Sequence, residues 1–369
     1  MRNLVKFLWP LLLCAVICIA VTGCGQEKGE DVCTVTFNTN GGTPEAIDPI
    51  KVAKGGTMGI DFPSTSKTGY RFLGWYNETD KYTESTPILK NVVLKAKWEI
   101  TTLGRIFGIF NTFKDENYSP PSGFDARVNG VSYGTITEKT YYSTTTTANR
   151  KCNVYTPPGY DPNETYPVLY LLHGIGGTHN EWKNDGGKPN EIISNLINSD
   201  QAKPMIVVMP NVRAMKNDGV PSNQTSAEAV AAFHNFINDL RDDLMPFIKE
   251  NYSVSDDRGK IAIAGLSMGA MESLHIGCRM YETIGYIGSF SAAPAMPLTA
   301  AQMTIPDQFK ENTFFMLCCG LQDGLISQSQ NYNQYLTNNG VRTAYYTIPG
   351  GHDWTVWNNG LYYFARCIF

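Results

Sequence analysis

The segment Gly265–Gly269, which reads Gly-Leu-Ser-Met-Gly, has the residue types and spacing of a reactive serine on a tight turn. An apolar run, Ile261–Ala264, leads into it, and a helix-like stretch, Ala270–Met280, follows. Glycines on both sides suit such a turn, because a side chain there would collide with the neighbouring strand or helix. The helix N-terminus also stabilises developing negative charge. We therefore predict that Ser267 is the nucleophile of an acyl-transfer reaction rather than a structural turn serine.

A serine hydroxyl is a poor nucleophile until a base accepts its proton, and histidine is the usual base. The chain has five histidines. His173 and His179 lie beside or within a glycine-rich loop, whereas His234 and His275 fall in helical stretches, where a packed or solvated imidazole is expected. His352 follows the last predicted strand, so we predict that it is the base.

A carboxylate must orient the histidine and stabilise its protonated form. Asp323 is the only carboxylate in the loop after the apolar strand Phe314–Cys319. Asp353 is the competing candidate, but it is too close in sequence to turn back on the ring of His352. We predict that Asp323 is the acid, which gives the chain order Ser, Asp, His.

The oxyanion formed during acyl transfer needs two N–H donors. The residue after the nucleophile, Met268, is expected to supply one from its backbone. The loop after the strand Val168–Leu172 reads His-Gly-Ile-Gly-Gly and can bend inward. We predict that the backbone of Ile175 in this loop supplies the second donor, and we call residues His173–Gly177 the oxyanion loop.

Four motifs together resemble carbohydrate esterase family one, and in particular the feruloyl esterase domains attached to bacterial xylanases. They are Leu171–Gly177, Ala264–Gly269, Cys319–Ile326 and Gly350–Trp354. The resemblance runs from about Phe124 to the C-terminus and places the proposed triad and oxyanion residues on the family's positions. It implies an α/β-hydrolase fold and hydrolysis of ferulate esters on arabinoxylan, a plant cell-wall polysaccharide, without a metal or organic cofactor.

These motifs do not distinguish which acyl group is removed, because an acetyl-xylan esterase or a related acyltransferase would carry the same motifs. Ala270 and Met271 stand where the family often has two glycines, and Met271 is expected to narrow the pocket. Trp182, Trp354 and Trp357 lie just past the oxyanion loop or the base, and we predict that they flank the acyl group. The alternative is that these tryptophans pack in the core or bind the sugar.

The elements predicted after Phe124 are apolar strands that alternate with helices, which indicates a mostly parallel sheet with helices on both faces. The clearest helix is Ser226–Asn251, with a capping box from Thr225 to Glu228. The predicted strands are Thr135–Tyr142, Asn153–Thr156, Val168–Leu172, Met205–Met209, Lys260–Ala264, Thr313–Cys319 and Thr343–Ile348.

The N-terminus reads as an export signal. Basic residues precede the apolar run Leu11–Val21, and the following Val-Thr-Gly-Cys resembles a bacterial lipobox that ends at Cys24. We predict a lipoprotein signal peptide over residues 1–23 and a polar tether over 24–32, with a lipid on Cys24 that holds the protein at the bacterial cell surface. An ordinary secretory signal or a retained helix is the alternative.

Residues 33–100 alternate polar and apolar positions and contain turn signals, which predicts a small β domain. Its motifs resemble the internalin-type B repeat, a β-grasp-like module of bacterial surface proteins whose ligand here is unknown. We expect it to act as a spacer. Residues 101–123 are predicted to be a linker, or an irregular entry into the second domain, and the esterase domain is predicted over 124–369. The alternative from another class is a non-catalytic adhesin led by this module.

The net charge and the cysteine spacing argue against a nucleic-acid-binding protein and against a cysteine-ligated metal site. The net charge is −4 without a long basic run, which argues against a nucleic-acid partner. The six cysteines after Cys24 form no Cys-x-x-Cys pair and have no metal-type spacing with histidine. A disulfide between Cys152 and Cys367 is left open by the sequence.

Overall fold

The computed structural model describes residues 31–59 and 62–369, which form two compact units. The first consists of the described residues up to Thr65 and of Leu73–Lys97; the second consists of Ser66–Phe72 and Trp98–Phe369. The predicted signal peptide and Cys24 lie outside the described residues. Within the described part, no helix has the length and hydropathy needed to cross a bilayer.

The small N-terminal domain is a five-stranded sheet of order β2-β1-β5-β3-β4. Alternation of apolar and polar residues along β5 buries every second side chain, and Phe37 packs against Trp75 with ring centroids 5.0 Å apart. Strand β1 pairs parallel to β5 and antiparallel to β2. The strands are β1 Val32–Asn38, β2 Ile50–Ala53, β3 Tyr70–Asn77, β4 Asp80–Tyr82 and β5 Val92–Ile100.

The large domain is built on an eight-stranded sheet of order β13-β12-β11-β10-β8-β9-β7-β6. The strands from β13 to β9 run parallel, and β7 and β6 complete the sheet in antiparallel pairs. The strands are β6 Thr135–Ser143, β7 Ala148–Thr156, β8 Val168–Leu172, β9 Ile206–Pro210, β10 Ile261–Leu266, β11 Tyr286–Phe290, β12 Phe314–Gly320 and β13 Thr343–Ile348.

Helices cover both faces of this sheet, because its central strands are apolar on both sides. Along β8, Tyr170 points into one core and Leu171 into the other. Helices α4, α5, α6 and α8 pack on the first face, and α1, α3 and α9 on the second. The helices are α1 Thr102–Thr112, α2 Glu181–Asn184, α3 Pro189–Asn198, α4 Ala227–Asp239, α5 Met245–Asn251, α6 Ser267–Gly277, α7 Asp307–Lys310, α8 Ile326–Asn338 and α9 Trp354–Cys367.

The predicted helix over 226–251 is interrupted in the structure. A π-helical turn, Leu240–Leu244, separates α4 from α5. Asp239, the last residue of α4, accepts a hydrogen bond from Tyr141, and Asp243, within the π-helical turn, accepts several from the turn after β6. The N-cap is Ser226, whose side chain accepts from the Ala229 N–H, so the capping box predicted from Thr225 to Glu228 was wrong.

The predicted linker over 101–123 was also wrong, because apolar side chains fold this segment into the core. Helix α1 begins after the N-cap Thr101 and buries Phe107 and Phe110. Phe113, fully buried, lies 4.6 Å from the ring of Tyr363 on α9. The large domain therefore includes α1, and its core does not begin at Phe124.

Two further elements went unpredicted, β11 and α9, although both are buried. Cys152 and Cys367 are free, buried thiols, so no disulfide joins them. Burial raises the pKa of the Cys152 thiol to about 12, which keeps it protonated and inert.

We predict that a fragment beginning at Thr101 is markedly more stable than one beginning at Phe124. The shorter fragment loses three buried phenylalanines on or beside α1, each worth about 1.5–3 kcal/mol on burial. Thermal unfolding of the two fragments by circular dichroism measures the difference. Equal melting temperatures would show that α1 adds nothing to the fold.

Candidate active site

The carboxyl ends of four parallel strands carry the predicted site residues. The oxyanion loop follows β8, Ser267 follows β10, and Asp323 and His352 follow β12 and β13. Because these strands run parallel in one sheet, their carboxyl ends meet at one edge, where α/β folds place ligands.

Ser267 sits in a strained turn between β10 and α6. Its φ is 53°, in the left-handed region that non-glycine residues rarely adopt. A Cβ on Gly265 would come within 2.6 Å of the Gly269 backbone, and one on Gly269 within 2.5 Å of the His173 carbonyl oxygen. Only glycines allow this close approach of β8, β10 and α6, which holds the serine in its unusual conformation.

A continuous chain of hydrogen bonds joins Ser267, His352 and Asp323. The distance from Ser267 Oγ to His352 Nε2 is 2.9 Å, and that from His352 Nδ1 to Asp323 Oδ2 is also 2.9 Å. The imidazole is about one third exposed, whereas the Asp323 side chain is fully buried. The geometry allows His352 to take a proton from Ser267 while Nδ1 donates to the carboxylate.

The carboxylate of Asp323 is stabilised in its ionised form. Burial alone would raise the pKa of Asp323, but hydrogen bonds from the Leu325 N–H, His352 and Ser291 outweigh burial and lower it. The Leu325 N–H donates to Oδ1 at 2.8 Å. Ser291 lies directly after β11, so failure to predict that strand also hid this partner of the acid.

The backbone N–H of Ile175 lies in a loop whose shape is fixed by His173. The Nδ1–H of His173 donates to the Gly174 carbonyl at 2.6 Å, and Nε2 accepts from the Val212 N–H at 2.8 Å. Burial, with the nearby Arg213 charge, lowers the pKa of His173 to about 3, so the ring is neutral and this tautomer persists. Met268 is the second residue of α6, and its N–H lies in the first turn of that helix.

Two charged residues that sequence reasoning missed also hold this loop in place. Arg213, fully buried, donates to the Ile175 carbonyl at 2.9 Å and to the Gly177 carbonyl at 2.6 Å. Glu181 accepts from the Gly174 N–H at 2.6 Å, and burial raises its pKa. The sequence positions of Arg213 and Glu181 do not indicate these roles, because each residue reaches the loop after β8 only once the chain has folded.

Comparison with known proteins identifies the fold and the family. A CE1 ferulic acid esterase from Anaeromyces mucronatus, solved with ferulic acid, is 32% identical, with a TM-score of 0.64. The match covers 68% of this chain and 97% of that structure. The chain belongs to the CE1 esterase family. The predicted α/β-hydrolase fold is thereby confirmed, and the large domain is an esterase domain.

Family profiles and curated relatives agree. A profile described as "Putative esterase" matches residues 143–317, and the Listeria-Bacteroides repeat domain matches residues 34–97. The endo-1,4-beta-xylanase/feruloyl esterase of Xylanibacter ruminicola is 37% identical over 175 residues, which is 45% of this chain and 23% of that protein. Endo-1,4-beta-xylanase Y of Acetivibrio thermocellus is 28% identical over 176 residues, 45% of this chain and 14% of that protein. The chain therefore spans less than a quarter of the length of each of these two curated relatives.

Two residues predicted to contact substrate are core residues of the CE1 domain. Trp182 is 1% exposed and donates its Nε1–H to the Leu172 carbonyl at 2.9 Å. Met271 has no exposed surface and packs within the core between α6 and the sheet. Both predictions were wrong for one reason: closeness in sequence to a site residue does not fix which face a side chain occupies.

Trp354 and Trp357 lie nearer the triad of the CE1 domain. Trp357 on α9 meets the His352 ring edge-on, with centroids 5.1 Å apart, and is largely buried. Trp354, partly exposed, packs on both Trp357 and Trp182 at 5.1 and 5.3 Å. Of the four residues predicted to contact substrate, Trp354 offers the most accessible aromatic surface.

We predict that Asp323→Asn lowers kcat by about 10³–10⁴-fold through loss of the correct histidine tautomer. Because the pKa of Asp323 is lowered, its carboxylate stays ionised and bound to the Nδ1–H of His352 below the pH at which an ordinary aspartate is protonated. The measurement is a kcat/KM profile against pH for both proteins.

The matched control is Asp353→Asn. Asp353 caps α9 by accepting from the Thr355 N–H at 3.0 Å, and asparagine caps helices equally well. Its activity should stay close to wild type. Damage by Asp353→Asn with a silent Asp323→Asn would reverse the assignment of the acid.

We also predict that Arg213→Gln lowers kcat by about ten- to a hundredfold, with a smaller change in KM. Loss of one oxyanion donor costs about 10²–10³ in kcat, and Arg213 acts on such a donor indirectly. The control is Arg258→Gln. Arg258 also donates to backbone carbonyls, but it precedes β10 and so lies at the end of that strand opposite to Ser267. Equal loss of kcat per folded molecule in both variants would contradict a role for Arg213 in shaping the loop.

Proposed function

We propose that the protein is a serine carboxylester hydrolase that removes feruloyl groups from arabinoxylan-type polysaccharide. The observation that carries the proposal is the hydrogen-bonded chain from Ser267 through His352 to Asp323, at the strand edge of a CE1 domain. Similarity to a ferulic acid esterase and to a xylanase/feruloyl esterase supports the substrate class.

Acylation begins when Ser267 Oγ attacks the ester carbonyl carbon and His352 Nε2 accepts the hydroxyl proton. The tetrahedral oxyanion is bound by two backbone N–H groups, that of Ile175 in the loop after β8 and that of Met268 at the N-terminus of α6. The C–O bond to the sugar then breaks, and His352 returns the proton to the leaving hydroxyl. The acyl group remains on Ser267 as an ester.

Deacylation repeats the sequence with water. His352 removes a proton from the water molecule, the hydroxide attacks the acyl carbon, and the bond to Ser267 Oγ breaks with return of the proton to the serine. The products are the free carboxylic acid and the deacylated sugar. Asp323 remains ionised and stabilises the imidazolium in both half-reactions.

The partly exposed ring of Trp354 favours a hydroxycinnamoyl group over an acetyl group. An aromatic acyl group gains contact worth about 0.5–1.5 kcal/mol beyond burial, which an acetyl group lacks. An acetyl-xylan esterase or an acyltransferase is the second candidate, because the triad chemistry would be the same. A non-catalytic adhesin is disfavoured by the connected triad.

For location, we propose export and anchoring at the bacterial cell surface through a lipid on Cys24. The basic start, the apolar run and the small residues before Cys24 support it. The Listeria-Bacteroides repeat domain would then lie between the anchor and the esterase domain in the chain. We propose that it is an internalin-type B repeat acting as a spacer, since the repeat holds no part of the triad.

The substrate prediction compares methyl ferulate with acetylated xylan. We expect higher kcat/KM on methyl ferulate, and Trp354→Ala should lower that value several-fold while leaving acetyl turnover nearly unchanged. Tyr142→Ala, which removes an exposed aromatic side chain on β6, is the control and should change neither. Ser267→Ala should reduce both activities by several orders of magnitude.

Each outcome bears on a different part of the proposal. A wide preference for acetyl esters would replace the feruloyl substrate with the acetyl-xylan alternative. Retention of more than about a tenth of wild-type turnover by Ser267→Ala would remove Ser267 as nucleophile, since a triad nucleophile supplies far more than tenfold.

The anchoring prediction is that Cys24→Ser releases the esterase into the soluble fraction. The lipid requires the Cys24 thiol, so wild type should partition into detergent phase and carry acyl chains detectable by mass spectrometry. Cys33→Ser, which changes a nearby cysteine that is buried in β1, is the control and should stay in the detergent phase. Unmodified wild-type protein found only in the medium would refute the anchor.

A further inference from the structure

A cluster of two histidines and a glutamate joins α4 to α6, on a part of α6 that the triad does not use. His234 lies on α4, and Glu272 and His275 lie on α6. His234 Nδ1 is 3.2 Å from Glu272 Oε2, and His275 Nδ1 is 2.8 Å from Glu272 Oε1. The three side chains thus converge, with ligand-type atoms all within 4.8 Å of one another.

The carboxylate of Glu272 lies at the centre of this cluster. The Glu272 side chain is fully buried, and each of its oxygens faces an imidazole. Burial of an ionised carboxylate is expensive unless a charge or a metal compensates it.

The spacing of the ligands matches a known way of building metal sites on helices. Glu272 and His275 are separated by three positions, so they lie on the same helix face. A Glu-x-x-His pair completed by a ligand from a packed neighbouring helix is a recurring metal-binding arrangement. Helices hold such ligands more rigidly than loops do.

We propose that His234, Glu272 and His275 bind one divalent transition metal ion of the zinc type. Two imidazole nitrogens and a carboxylate oxygen form a common three-ligand zinc set, with water in the fourth position. Binding through Nδ1 requires each neutral ring to shift its proton from Nδ1 to Nε2, so the total number of protons is unchanged. Glu272 then faces a cation instead of two N–H groups.

The site has an open side through which a metal and its water can enter. The His234 side chain is 25% exposed and that of His275 is 11% exposed, whereas the Glu272 side chain is fully buried. The charged ligand is therefore deepest, and the most accessible imidazole is nearest solvent. This order of side-chain exposure is expected for a site that takes up its metal after folding, and not for a cluster sealed in the core.

The ion would connect two helices and stay away from the ester. Glu272 and His275 follow Ser267 by five and eight positions on α6. At about 1.5 Å of rise per residue, they lie roughly 7–12 Å along the helix from the nucleophile. We therefore assign the metal a role in fixing α6 against α4, independent of whether the feruloyl substrate is correct.

The test measures zinc binding by the full chain without an affinity tag, after removal of metals with EDTA. Equilibrium dialysis with elemental analysis should give one zinc per chain, and zinc should raise the melting temperature. Glu272→Gln, which keeps the size and one acceptor oxygen, should bind at least about tenfold more weakly, since changes even around a metal ligand cost 10–100-fold. Ser267→Ala should bind like wild type.

His234→Asn provides a second variant, because its side chain is the most exposed of the three and its replacement is the least disruptive to the fold. His179→Asn is the matched control outside the cluster and should retain zinc. Cobalt substitution should give visible absorption bands without the sulfur charge-transfer band that binding to the buried cysteines would add. No zinc bound by wild type, or equal binding by wild type, Glu272→Gln and His234→Asn, would show that the cluster is only hydrogen-bonded.

Discussion

The close approach of β8, β10 and α6 around Gly265 and Gly269 is the constraint on which the site depends. It forces Ser267 into a left-handed backbone conformation, with φ of 53°. The strain is tolerated because the surrounding strands and helix are packed on every side. The same packing directs the hydroxyl towards His352 and places it at the N-terminus of α6, so nucleophile geometry and anion stabilisation share one structural cause.

The loops that complete the site are held by polar contacts that reach across the sheet edge. Arg213 comes from the segment after β9 and Ser291 from the turn after β11, yet they act on the loops after β8 and β12. At two places along the carboxyl edge of the sheet, therefore, the segment after one strand fixes the loop after its neighbour. This explains how a flexible His-Gly-Ile-Gly-Gly sequence can present a defined N–H group.

The predictability of these features follows from the range of the interactions. The turn around Ser267 and the positions of Asp323 and His352 were predicted because local spacing and strand order determine them. Helix α1 was predicted as a linker because its proline- and glycine-rich neighbours at 119–123 outweighed its apolar residues, whose partner Tyr363 lies far along the chain. Arg213 and Trp182 were missed or misplaced since tertiary packing alone decides what each side chain contacts.

Helix α6 combines two demands that ordinarily conflict. Every residue from Ser267 to Gly277 is buried, so the helix needs an apolar surround, yet it carries the nucleophile and a carboxylate. Ser267 is accommodated because it is the first residue of the helix, at the carboxyl edge of the sheet. Glu272 lies in the middle of the helix and is fully buried, with its two carboxylate oxygens against the imidazoles of His234 and His275, which the proposed ion would bridge. A polar cluster on α6 therefore bears on the rigidity of the element that positions Ser267, even though it lies too far away to take part in the chemistry.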